Sequence, residues 1–174
     1  MSAKVIDIDK GWKKIQEEVT KMKNSHTKVG YFSDGGTNPS ENVAALALLH
    51  EKGASIKVTP KMKGYFLFKF GIALKKAYII IPSRPWNRVT FEKYQHAIKD
   101  LLIYEYNKIL EGKQNAKNAL SKIGEWYVGR LKDTMTKGSF APNSGFTTAQ
   151  KGSSKPLIDE GTMRNSTTHK EFMK

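Results

Sequence analysis

The stretch 86–136, WNRVTFEKYQHAIKDLLIYEYNKILEGKQNAKNALSKIGEWYVGRLKDTMT, decides the architecture. Phe91, Tyr94, Ile98, Leu101, Leu102 and Ile109 recur at three- and four-residue steps, which predicts a long helix from Trp86 to Glu111. Gly112 stops it. Leu120, Ile123, Tyr127, Leu131 and Met135 repeat the pattern, predicting a second long helix over about 114–136. The short Gly112-Lys113 connection implies an antiparallel pair.

Upstream, VIDID at 5–9 reads as a short strand, with Asp9 as a helix N-cap. Trp12, Ile15, Val19 and Met22 then mark one face of an amphipathic helix ending near Asn24. Lys28–Phe32 reads as a strand running into the turn-rich segment 33–39, and Ser40 opens a second helix that stops at Gly53. Between Ser55 and Ile81 the runs IKVT, GYFLFKF and AYIII predict β-structure, a basic insertion at about 55–78 with Phe66, Phe68 and Phe70 on one strand face. Past Gly138 the chain turns to Gly, Ser, Thr, Asn and Pro, and 139–174 reads as an extended C-terminal arm on a single α+β domain of residues 1–138.

The chain has 174 residues, 39% apolar and 26% charged, enough for one domain with a real core. It has no cysteine, so disulfides, thiolate metal sites and cysteine nucleophiles are excluded. No apolar run approaches the ~20 residues that span a bilayer, and no membrane partner is expected. Thirty Lys and Arg against sixteen Asp and Glu give a net charge of +14, which points to a polyanionic neighbour. Between Glu51 and Glu92 there is no acid, while Lys52, Lys57, Lys61, Lys63, Lys69, Lys75, Lys76, Arg84 and Arg88 are all basic. Of these, Lys57, Lys61, Lys63, Lys69, Lys75 and Lys76 are the candidate contacts to DNA or an acidic partner.

Catalytic patterns are missing. His26, His50, His96 and His169 form no HExxH or similar metal spacing. The glycines form no phosphate cradle, and no GxSxG elbow occurs. Asp159-Glu160 are adjacent rather than spread around a two-metal site. No enzyme activity, cofactor or metal is expected.

Three landmarks remain: HEKGA at 50–54, IPSRPWNR at 81–88, and APNSGFTTAQKGSSKPLIDEGTMRNS at 141–166. Together they resemble the virion morphogenesis, or tail-completion and neck, family of Mu-like phages. The matching residues are Val29-Gly30, Glu51, Gly53, Pro82, Arg84, Pro85, Trp86, Pro142, Ser144, Thr148, Lys151, Gly152, Pro156, Leu157, Asp159, Gly161, Met163 and Ser166. Glu160 stands where that family usually has Thr, Met163 where it has Leu and Thr167 where it often has Ile, and the passage 54–78 is longer than usual.

The resemblance implies a tail-terminator-like α+β fold, with an antiparallel or mixed sheet flanked by helices. It also implies a virion protein, assembled in the host cytoplasm into a ring, a hexamer by that analogy, contacting other neck, tail-tube or connector proteins and in places genomic DNA. Its motif residues Glu51, Gly53, Pro82, Arg84, Pro85, Trp86, Pro142, Lys151, Gly152, Pro156, Leu157, Asp159, Gly161 and Ser166 are expected at subunit or neck interfaces. The rival reading is a basic DNA-binding protein of genome packaging or organisation.

Overall fold

A computed structural model describes residues 10–32 and 41–174. In chain order these form α1 (Trp12–Asn24), β1 (His26–Gly30), α2 (Glu41–Lys52), β2 (Ala54–Lys57), α3 (Pro60–Phe70), β3 (Tyr78–Ile81), α4 (Trp86–Leu110), α5 (Ala116–Lys137), α6 (Gly145–Lys151), α7 (Thr162–Asn165) and β4 (Thr168–Phe172). The fold is α+β, with two long helices and two small antiparallel sheets among the described residues. The expected VIDID strand, the Asp9 and Ser40 caps and the 33–39 turn lie outside the described residues.

The chain forms two compact units, and α4 and α5 each supply residues to both. The first comprises residues up to Tyr31, Thr90–Lys132 and Thr167–Lys174. Its core is Met22, Ile109, Ala116, Ala119, Leu120 and Ile123, with Val19, Leu101 and Tyr106 packed against it. α4 and α5 run antiparallel, as the spacing predicts. Ile109 meets Ala116 and Ala119 at one end, and the Tyr94 and Trp126 rings meet edge to face at 5.9 Å toward the other. The two alanines are fully buried, and their small side chains let the helices approach closely.

The α4 face departs from expectation. Phe91 and Leu102 are about half exposed, while Thr90 and Glu105 are buried. Polar partners make that burial tolerable: Glu105 accepts from the Gln114 side chain, and Lys122 lies 3.6 Å from its carboxylate. Trp12, expected on the buried face of α1, is 62% exposed. Glu18 reaches from α1 to accept the Ala116 N–H at 2.8 Å, capping α5 with a negative charge where the helix dipole favours one.

β1 pairs antiparallel with β4, from His26↔Phe172 to Gly30↔Thr168. This sheet rests on α5 at Gly124. A Cβ there would sit 2.7 Å from the His169 ring and 2.8 Å from the Thr27 hydroxyl, so only glycine permits the approach.

The second unit comprises Phe32–Val89 and Asp133–Ser166. β2 pairs antiparallel with β3, from Ala54↔Ile81 to Lys57↔Tyr78, and α3 lies in the connection between them. The IKVT and AYIII strands are therefore found in shortened form, but the expected GYFLFKF strand is a helix. Thr59 caps it by accepting the Met62 N–H at 3.2 Å, Pro60 opens it, and Gly71 closes it with an N–H to Leu67 O at 2.9 Å. Phe66 and Phe70, four residues apart, both meet the Phe146 ring of α6, one tilted at 5.8 Å and the other edge to face at 5.1 Å, as residues on one helix face can. The insertion at 55–78 is thus part strand and part helix.

Within 139–174 the short helices α6 and α7 interrupt irregular chain, and the strand β4 is the one element that the composition of this segment does not suggest. Ser144 caps α6, and β4 finds its partner 138 or more positions upstream, which no local pattern announces.

Candidate functional site

The three sequence landmarks meet in the second unit, around Arg84. Pro82 and Pro85 restrict the backbone near Arg84, since each proline ring fixes its own φ. The Arg84 N–H donates to His50 O at 2.7 Å, and the Trp86 N–H donates to Arg84 O at 2.7 Å. The guanidinium is 4% exposed. Its Nε donates to Ala141 O at 2.8 Å, and Nη2 donates to Pro142 O and Asn143 Oδ1, both at 3.1 Å. Its Nη1 faces His50 Nδ1 at 3.3 Å. A rigid fork of donors suits a run of oxygens of this kind, and a lysine ammonium could not serve them all in one plane.

His50 is constrained by that contact. Because guanidinium has only donors, Nδ1 must offer its lone pair, which places the proton of the neutral ring on Nε2. Burial first, then the charges of Arg84 and Lys151, hold the His50 pKa below its ordinary value.

Glu51, next in sequence, does a different job. Its carboxylate accepts the N–H groups of Asn87 at 2.9 Å and Arg88 at 3.1 Å, so it caps the start of α4 from another element. Ser83 Oγ donates to Glu51 O at 2.7 Å. Gly53 has φ +74°, and a Cβ there would lie 2.7 Å from Ile81 O and Ser83 N, which requires glycine where α2 passes into β2. Trp86 is buried at the first position of α4.

From the third landmark, Pro142 supplies its carbonyl to Arg84, and Lys151 Nζ donates to Ile158 O at 2.6 Å. Gly152 caps α6 in the left-handed region at φ 64°. Pro156 is half-buried, and Leu157 is buried with φ 63°, a conformation that is strained for a side chain branched in this way and is held by its packing. Asp159 is exposed, Gly161 precedes α7, and the Ser166 N–H bonds back to Thr162 O at its end. A cleft of about 540 Å³ opens beside these residues, lined by Ile79, Ile80, Ile81 and Pro82 together with Lys151, Leu157 and residues 159–163.

Two residues of this site carried no sequence signal of their own. Asn143 takes a bond from Arg84 and donates from Nδ2 to Lys155 O at 3.2 Å, bridging the segment's ends. His50 read as an isolated histidine, since its partner lies 34 positions away.

The candidate basic contacts stand apart from this cluster in role. Lys57, Lys61, Lys63, Lys69, Lys75 and Lys76 are all exposed, and no ion pair joins any of them to a described residue. Among the described residues no group of three or more His, Asp or Glu is placed to hold a metal ion. The strong polar groups of the Arg84 cluster point at backbone atoms of their own chain, and the arrangement can hold chain segments in place.

No protein-family model, curated protein or solved structure matches the chain.

Proposed function

We propose that this chain is a non-enzymatic structural protein of the phage neck, finishing the tail and joining it to the DNA-filled head as one subunit of a sixfold ring. The observation that carries this reading is the Arg84 cluster, in which residues of three separated motifs are used to hold the 141–166 segment rather than to present chemistry. That use suits a subunit whose task is to offer a fixed shape to neighbours. The resemblance of the same three motifs to the tail-completion family supplies the location, in the virion after assembly in the host cytoplasm.

The deciding experiment is electron microscopy of lysates from a phage lacking this gene. Heads and tails that accumulate unjoined, or tails with an abnormal end, are expected. Normal infectious particles would overturn the reading. The six exposed lysines of residues 57–76, none in an ion pair with a described residue, favour a second reading, a DNA-binding protein of genome packaging. That reading predicts affinity for DNA falling steeply with salt, since each phosphate contact releases counterions.

A further inference from the structure

α3 combines three exposed lysines with exposed large apolar side chains, which is unusual for a solvent-facing helix surface. Phe66 and Phe70 face Phe146, whereas Tyr65, Leu67 and Phe68 are 51%, 57% and 95% exposed. A phenylalanine this exposed packs on nothing among the described residues. Helical spacing places Lys61, Tyr65 and Phe68 in one file and Lys63 and Leu67 in the next. On the other flank, Lys69 Nζ lies 5.4 Å from the Tyr65 ring centroid. The face therefore has an apolar centre with ammonium groups at its margins.

Its composition discriminates among occupants. From Pro60 to Lys76 every charged residue is Lys, and Tyr65 is the one other side chain with a polar atom. Protein interfaces share the aromatic content of this face but favour Arg and disfavour Lys, and every charge here is Lys. A second copy of a chain carrying +14 offers no charge complement. Duplex phosphates would engage the lysines but leave Leu67 and Phe68 in water. An anionic bilayer surface accommodates both, with the apolar groups at the acyl boundary and the lysine stems laid along it, their charges among the headgroups. No helix among the described residues is long and apolar enough to cross a membrane. Lying on a surface is a separate mode that needs no such helix.

We propose that α3 is a peripheral docking surface for an anionic lipid bilayer, with Leu67 and Phe68 entering the interface and Lys61, Lys63 and Lys69 reading its charge. This inference is independent of the neck assignment and departs from the expectation of no membrane partner.

Flotation of the full chain with vesicles of phosphatidylglycerol and phosphatidylcholine, against phosphatidylcholine alone, tests it. Binding to the anionic vesicles only is expected. Phe68→Ser should weaken it at least tenfold, with an unchanged melting temperature because the ring packs on no described residue. Each of K61Q, K63Q and K69Q should weaken it about fivefold. Removing the exposed charges of Lys113 and Lys117 instead should have little effect. No flotation, or flotation insensitive to Phe68 and equally sensitive to both lysine sets, overturns the proposal. Phe68-dependent binding to single-stranded DNA without flotation overturns it too and reassigns the face to nucleic acid.

Discussion

The two units are held together by different chemistry. In the first, apolar neighbours on α1, α4 and α5 form a contiguous core, and the sheet joins them through a glycine that lets backbone and ring come close. In the second, segments more than fifty residues apart are tied by one guanidinium donating to consecutive backbone and side-chain oxygens. An apolar core loses stability gradually as it is trimmed, because neighbours share the contact area. A polar tie fails at one residue, because the part-buried acceptors it served lose their donor together. The contrast predicts where each unit is most vulnerable.

The largest effect is expected at Arg84. Arg84→Ala should destabilise the second unit by about 3 kcal/mol, since hydrogen bonds to a charged group are worth about 1.5–3 kcal/mol and several neutral acceptors lose their donor at once. Arg84→Lys should recover only part, since an ammonium keeps the charge and loses the fork. Urea melts followed by hydrogen exchange check this. Protection lost over 141–160 and kept over 101–123 sharpens the comparison, whereas equal loss in both units breaks it.

Gly124→Ala is the counterpart in the first unit. The new methyl would meet the His169 ring and the Thr27 hydroxyl at under 3 Å, so β1 and β4 must move outward from α5. Overpacking of this kind costs about 1–3 kcal/mol. The same exchange and melting measurements should show the loss at amides of β1 and β4, with the 141–160 segment unaffected. A neutral Gly124→Ala would mean the sheet is not seated on α5 as described.

How far the sequence revealed these sites depended on distance along the chain. α4 and α5 were legible because more than twenty residues of one period end at Gly112. α3 was not, because YFLFKF is apolar at every phase and fits a period of two as well as 3.6. The deciding marks were Thr59-Pro60 in front and Gly71 behind, which are helix punctuation. The motif residues themselves stood out as unusual, yet nothing local says that Glu51 caps a helix starting 35 positions later, or that Arg84 and Asn143 bond. Gly124, unremarked inside a helix pattern, acquires meaning only once β1 and β4 are seen to cross it.

The smallest expected effect, dependence on pH, separates the units by their titrating groups. His50 in the second unit has a folded pKa below its ordinary 6.5, because burial and the neighbouring cations disfavour its charged form. The unfolded chain therefore binds the extra proton first. The contribution is complete above about 6.5 and is lost as pH falls through the lower folded value. Glu18 in the first unit is held below its ordinary 4.5 by hydrogen bonds from Lys21 and from the Ala116 N–H. Its contribution is present above 4.5 and lost only at more acidic pH. Exchange protection followed from neutral to acidic pH should therefore weaken first around residues 50 and 84 and only later at the start of α5. His50→Gln should flatten the first step and Glu18→Gln the second. Loss of both in one step, untouched by either substitution, would show that the two units unfold as one body and that their difference in construction has no energetic consequence.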